Sequence, residues 1–320
     1  MNMAASSSII EIKGLCKVFR GELFQESVVG LNGISLSVRE GEVYGFLGPN
    51  GAGKTTTLKI MVGLNRATSG TVTLFGRDVT DPEVRQAIGY LPESPYFYDY
   101  LTAEEFLTFY GRLFGLTGPP LRNKVSELLL MVGLEGARGR SLRKFSKGML
   151  QRAGIAQALI NDPKLVILDE PMSGLDPVGR RDVRDLILRL RREGTTVFFS
   201  THITSDVAMI CDRIAILCKG EMVAEGEIDA LLQTSNCVTE LEWAGDAELG
   251  PRCTDAMGKL GMVSTPKAGR WVIQVTSEKG LDEAINVGRQ QGLKLVSVTP
   301  RRPSLERFFM EKVSAGGEEE

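Results

Sequence analysis

At roughly 150 residues per domain, a chain of 320 residues suggests about two domains. With 42% hydrophobic and 24% charged residues it can build an ordinary globular core, which excludes wholesale disorder. A formal charge of −2 gives no global field for gathering nucleic acid or an anionic membrane.

Apolar runs such as Leu165-Val166-Ile167-Leu168 fall far short of the roughly 20 residues that span a bilayer. The opening Met1-Asn2-Met3-Ala4-Ala5-Ser6-Ser7-Ser8 has neither the basic nor the apolar region of an export signal, and residues 1–8 are expected to be disordered. The cysteines Cys16, Cys211, Cys218, Cys237 and Cys253 are odd in number and lack C-x-x-C spacing. Free thiols are therefore expected rather than a metal site.

In chain order, partial alternation from Ile9 to Val18 predicts an edge strand closed by Phe19, and Gly33–Val38 a second strand. Arg39-Glu40-Gly41 turns into the apolar strand Glu42–Leu47. Gly48-Pro49-Asn50-Gly51-Ala52-Gly53-Lys54-Thr55-Thr56 follows, then a helical pattern from Thr57 to Val62. Thr71–Phe75 and Ala87–Glu93 read as strands, the latter stopped by Pro92. Residues 94–160 change to helix. Thr102-Ala103-Glu104-Glu105 is a capping box opening a helix that Gly115 ends, and Leu121, Val125, Leu128, Leu129 and Val132 share one face of the next. Asn161-Asp162-Pro163 breaks this region. Lys164–Asp169 is apolar almost throughout, as befits a strand buried on both faces.

Helix 178–193, strand 195–200, helix 205–210 and strand 213–218 complete an alternation that predicts an α/β layered core over residues 9–233 with an inserted helical subdomain at about 94–160. A pause near Leu232–Asn236 marks a boundary. Beyond it, strand 237–243, helix 252–260, strands 262–266 and 270–276, helix 281–291 and strand 294–299 give the β-α-β-β-α-β order of a ferredoxin-like unit, so a small α+β domain is expected over 237–313. It ends in an amphipathic helix from Ser304 to Val313, before an acidic tail, 314–320, expected to be disordered.

The segment from Gly48 to Thr56 has the form G-x-x-x-x-G-K-T between a strand and a helix, the context a phosphate-binding loop requires. Its glycines let backbone N–H groups turn around phosphate oxygens, the helix N-terminus adds its positive end and Lys54 a point charge. Thr55 would place its hydroxyl on Mg²⁺. A second apolar strand delivers Asp169 and Glu170 at its C-terminal end, the edge where ligands bind in an open α/β sheet. There Asp169 suits Mg²⁺ held through water, and Glu170 suits orientation or deprotonation of an attacking water.

With these residues in view, the stretch from about Ile9 to Asp229 resembles an ATP-binding cassette (ABC) ATPase, a P-loop NTPase fold. Phe145-Ser146-Lys147-Gly148-Met149 with Gln151-Arg152 resembles the family's signature loop, usually Leu-Ser-Gly-Gly-Gln. Ser173-Gly174-Leu175-Asp176 resembles its D-loop, His202 its switch histidine, and Tyr90-Leu91-Pro92-Glu93 stands at its Q-loop. The resemblance implies ATP and Mg²⁺ as ligands and a dimer of two copies sandwiching two ATP molecules. Ser146, Lys147, Gly148, Met149 and Asp176 would then meet the other copy's nucleotide, and His202 the γ-phosphate. Phe19, with Phe24 as a rival, would stack on adenine.

Two departures stand out. Glu93 replaces the expected glutamine, bringing a carboxylate suited to Mg²⁺. Lys147 replaces the first signature glycine, where it either adds attraction to ATP or points to solvent. The basic residues Arg138, Arg140, Arg143, Lys144, Lys147 and Arg152 read as a charged face rather than a nucleic-acid site. Pro92-Glu93, the altered signature and the ending from Thr299 to Phe309 resemble ATPase subunits of ABC-2 exporters, including antibiotic, lipid and motility-associated systems. That implies separate transmembrane permease subunits and a place on the inner face of the cell membrane. The alternative is a soluble ABC ATPase acting on ribosomes or DNA, though those usually carry two cassettes or a long coiled-coil insertion.

Overall fold

The computed structural model describes residues 8–20, 27–233, 238–245, 258, 262–263, 270–275, 277–301 and 304–315. Phe24, Cys237, Cys253, most of the expected helix 252–260, and all of the expected disordered termini except Ser8, Ser314 and Ala315 lie outside them. Ser8 belongs to the first strand, and Ser314 and Ala315 to the last helix. By their contacts the described residues form two units. One runs to Ile228 and resumes at Phe309; the other is Asp229–Phe308.

The first unit is built on a six-stranded sheet ordered β10-β9-β3-β8-β7-β6. In it β3 (Val43–Leu47), β6 (Ile88–Leu91), β7 (Leu165–Asp169), β8 (Thr196–Thr201) and β9 (Arg213–Cys218) run parallel, while β10 (Glu221–Glu227) is an antiparallel edge. Every residue of β3, β7 and β8 is buried, so neither face of the central strands meets water.

The two-residue period of these strands divides their side chains. Tyr44, Phe46, Leu165, Ile167 and Phe198 join one core with α1 (Lys54–Met61) and a second sheet. Gly45 and its neighbours face the other way, where Val207 of α7 (Thr204–Ile210) and Cys211 pack closely. That second sheet is antiparallel, ordered β2-β1-β4-β5, and comprises β1 (Ser8–Phe19), β2 (Val28–Arg39), β4 (Ser69–Leu74) and β5 (Arg77–Asp78).

The inserted helices are α3 (Ala103–Leu113), α4 (Gly118–Met131) and α5 (Lys147–Ala158), which pack on one another, α5 also lying on β6. The capping box is present: Thr102 Oγ1 accepts the Glu105 N–H, and Glu105 returns a carboxylate to the Thr102 N–H at 2.8 Å. Leu121, Val125, Leu128, Leu129 and Val132 are buried, as the spacing predicts. After β7 come α6 (Pro177–Arg192), β8 and α7. Of the basic run, Arg138 pairs with Glu104 and Arg152 with Asp182 and the Val132 carbonyl, contacts that serve the fold.

Four short elements have no counterpart in the sequence reading: β5, α2 (Pro82–Gln86), β10 and α8 (Ile228–Gln233). Neither β10 nor α8 buries a residue fully, so neither leaves an apolar period to detect.

In the second unit, β11 (Val238–Ala244), β12 (Met262–Val263), β13 (Arg270–Val275) and β14 (Lys294–Arg301) form an antiparallel sheet ordered β12-β13-β11-β14. Numbered within the unit this is 2-3-1-4, the ferredoxin-like order that the sequence predicts. Leu241 and Trp243, opposite Trp271 and Ile273, share one face and pack against α9 (Glu278–Gln290).

The expected domain boundary at 233–237 differs from the division of contacts, which falls after Ile228, because α8 buries nothing to hold it to the first unit. The expected end of the second domain differs too. The last helix, α10 (Leu305–Ala315), buries Leu305, Phe308 and Phe309, and from Phe309 it groups with the first unit, where the Val313 carbonyl lies 3.9 Å from Cys218 Sγ.

Candidate functional site

The loop between β3 and α1 is shaped by steric necessity. Gly53 has φ 103°, and a Cβ there would fall 2.6 Å from Leu31 Cδ2 and 2.7 Å from the Gly30 carbonyl oxygen. Only glycine permits that close approach in the left-handed region. The loop is braced from both sides: the Gly48 N–H donates to the Thr201 carbonyl at 3.3 Å, and the Gly220 N–H to the Ala52 carbonyl at 3.0 Å.

A cavity of about 470 Å³ opens over this loop. Pro49, Asn50, Gly51, Gly53, Lys54, Thr55 and Thr56 line it from the loop, joined by Glu93, Glu170 and Phe19. Ten of the residues singled out from the sequence are thus brought to one surface. Phe19 is 42% exposed, pairs across the ladder with Val28, and has Lys17 Nζ 5.2 Å from its ring centroid. Val28, Val29 and Gly30 also line the cavity, and sequence reasoning missed them. The signal was the apolar pair Val28-Val29, which is largely exposed and so forms an apolar shelf beside Phe19 rather than core.

Lys54 is buried, and its ammonium donates to the carbonyls of Gly48 at 2.7 Å and Pro49 at 3.2 Å. It also stands 3.3 Å from Glu170 Oε1, an ion pair without hydrogen-bond alignment, so that oxygen has no donor. Glu170 Oε2 is 2.9 Å from His202 Nδ1. Beside it, Asp169 is fully buried and its Oδ2 has no partner. Burial, and secondarily the Asp169 charge, push the Tyr90 phenol up to about 12.

A further residue organises the two acids. Ser200, opposite Asp169 in the β7–β8 register, donates its hydroxyl to Asp169 Oδ1 at 2.6 Å and accepts the Glu170 N–H at 2.9 Å. That grip holds Glu170 at φ 50°, a strained conformation for a residue with a side chain. The signal in the sequence was a hydroxyl ending the apolar run Val197-Phe198-Phe199. Arg184 of α6 also pairs at 2.8 Å with Asp206, buried in α7 four residues after the histidine, and so ties these helices together.

These features fit a nucleotide polyphosphate: a glycine-shaped cradle, a buried ammonium, and an unpartnered buried carboxylate oxygen at the same sheet edge. Residues 31–173 match the family described as ABC transporter. An uncharacterized ABC transporter ATP-binding protein of Nostoc sp. is 43% identical over 309 residues, covering 96% of this chain and 90% of that protein. The bacitracin transport ATP-binding protein BcrA of Bacillus licheniformis is 34% identical, covering 97% of this chain and 99% of that one. A dimeric ATP-binding cassette bound to ADP and Pi, in a post-hydrolysis state, superposes with a TM-score of 0.63 at 28% identity, covering 68% of this chain and 98% of its own.

This chain belongs to the ABC transporter ATPases. It is thus an ATP-hydrolysing cassette, the ATP-binding subunit of a transporter, and no helix among the described residues is long and apolar enough to cross a membrane.

In this ABC ATPase the signature residues stand apart from the cavity: Ser146, Lys147, Gly148, Met149 and Asp176 are absent from its lining. Ser146 caps α5, accepting the Met149 N–H at 3.3 Å, and Asp176 caps α6, accepting the Gly179 N–H at 2.9 Å. Ser146 and Lys147 are exposed.

Proposed function

We propose that this cassette powers a membrane exporter through separate permease subunits, working as a dimer that closes over two ATP molecules and reopens after hydrolysis. The end-to-end likeness to a bacitracin transport ATP-binding protein carries the reading, because it runs through the second unit as well as the cassette. The separation of the exposed signature from the cavity supports the dimer, since a second copy can then supply Ser146, Lys147, Gly148, Met149 and Asp176 to the nucleotide on Lys54.

The ligand set follows from the donors. Lys54 and the loop N–H groups hold the β- and γ-phosphates, and Phe19 with its valine shelf faces adenine. Among the described residues no group of three or more His, Cys, Asp or Glu could hold a metal ion. Thr55, Asp169 and Glu93 would hold Mg²⁺ with substrate phosphates completing the set, Asp169 reaching it through water, and the unpartnered buried Oδ2 of Asp169 fits that role. When bound, Mg²⁺ would supply positive charge to offset that of the substrate phosphates.

Glu170 orients water in line with the γ-phosphorus and takes its proton as the bond to the bridging oxygen breaks. His202 Nδ1 stands 2.9 Å from Glu170 Oε2, and Nε2 is the ring nitrogen left to meet the γ-phosphate. For the permease, the segment after Glu93 carries the exposed, edge-packed rings of Tyr96, Tyr98 and Tyr100, with Phe109 beside them. A permease helix meeting these rings would be linked to the cavity through Glu93.

In a Glu170→Gln variant hydrolysis should fall by at least about a hundredfold with ATP binding retained. Near-normal turnover would remove Glu170 from the role. Tagged protein purified from membranes should bring a membrane protein with it; recovery with ribosomes or DNA instead would establish the soluble alternative.

A further inference from the structure

Phe19 reaches the cavity from an irregular stretch of the β1–β2 ladder, and the residue that makes it irregular has no side chain. Lys17 pairs with Leu31, Val18 with Val29 and Phe19 with Val28, so Gly30 is the extra residue of a β-bulge. A Cβ built on Gly30 would fall 2.6 Å from Phe19 Cε2 and 3.1 Å from Cδ2. Both are atoms of the ring, which moves as one rigid body. The φ of Gly30 lies outside the left-handed region, so its backbone alone would accept alanine. That backbone is held from behind: Cβ atoms built on Gly53 and Gly220 would stand 2.7 Å and 3.0 Å from the Gly30 carbonyl oxygen, which therefore lies close against the phosphate loop and the β9–β10 turn. A methyl at position 30 thus displaces the ring, which is 42% exposed and free to give way, rather than the strand. Lys17 holds the ring from another side. Its ammonium stands 5.2 Å from the ring centroid and donates to the Arg66 carbonyl at 2.8 Å.

We propose that Gly30 is a positioning residue for the base: its missing side chain lets the Phe19 ring settle against the bulge, in the place where adenine stacks on it. This rests on the reading in which Phe19 faces adenine. The role is separable from phosphate binding. The Gly30 carbonyl backs the phosphate loop, and alanine keeps that carbonyl, so the substitution acts through the ring on ligands that carry a base and spares a bare polyphosphate.

The test is calorimetric titration of the purified full chain with ADP and with inorganic tripolyphosphate, which has phosphates and no base, beside thermal melts of each variant without ligand. Phe19→Ala should weaken ADP binding at least about fivefold, as loss of a base–aromatic stack does, and Gly30→Ala at least about threefold. Both should bind tripolyphosphate within about twofold of wild type, a split that a merely structural defect would not give. In the Phe19→Ala/Gly30→Ala double variant the methyl meets no ring. ADP should then bind within about twofold of Phe19→Ala alone, and any loss of melting temperature caused by Gly30→Ala should disappear. Unchanged ADP affinity in Phe19→Ala would remove the stacking reading on which the proposal stands. With that loss present, three results would each overturn the proposal alone: Gly30→Ala binding ADP as wild type does, Gly30→Ala weakening tripolyphosphate as much as ADP, or Gly30→Ala lowering the melting temperature equally with and without the ring.

Discussion

Replacing Ser200 with alanine should damage both stability and catalysis. The hydroxyl donates to a buried, ionisable oxygen of Asp169 at 2.6 Å and accepts the Glu170 N–H at 2.9 Å, and Ser200 and Asp169 are wholly inaccessible. Loss of a hydrogen bond to a charged group costs about 1.5–3 kcal/mol, and a stranded buried N–H about 1–3 kcal/mol, so a loss of about 3 kcal/mol or more is expected. For a unit of this size that lowers the melting temperature by roughly 6–12 °C. The same anchor holds Glu170 in a backbone conformation that stores about 1–3 kcal/mol of strain, and its release should cut kcat by about fivefold to a hundredfold. Thermal melts and steady-state hydrolysis at saturating ATP read the two effects. A melting temperature within about 2 °C of wild type, with kcat within about twofold, would refute the reasoning.

Three further outcomes are expected. Gly53→Ala should destabilise the first unit by at least about 2 kcal/mol and abolish measurable ATP binding, because the added methyl meets the Gly30 carbonyl and Leu31; calorimetric titration and a urea melt check both. Asp169→Asn keeps an acceptor for Ser200 but removes the charge, and should raise the Mg²⁺ concentration for half-maximal hydrolysis at least about tenfold, read from a metal titration. Thr102→Ala should cost about 1 kcal/mol in a urea melt through the lost cap of α3, with kcat unchanged.

What was legible in the sequence follows physical rules. Strands buried on both faces announce themselves as unbroken apolar runs, so β3, β7 and β8, which carry the loop, the acids and the histidine, were readable. The glycine–lysine loop was readable because close backbone approach leaves few residue choices. Ser200 was not, because a single hydroxyl at the end of a strand gains its meaning only from the register that sets it opposite Asp169. The edge strand β10 escaped for a different reason: its burial is partial throughout, and no period emerges.

The return of the chain at Phe309 to the unit it left at Ile228 makes the second unit an insertion rather than an appendage. Its entry and exit are both tethered, and the carbonyl of Val313 against Cys218 is part of the second tether. A stop codon after residue 233 would therefore delete a piece of the cassette along with the accessory sheet, and a defect in such a fragment would not report on that sheet alone. Excision with a short flexible splice from Ile228 to Phe309 is the cleaner cut. It keeps Phe309–Ala315 of the closing helix, at the loss of its first turn, Leu305–Phe308, and shortens the loop these residues close, which lowers the entropy lost on folding.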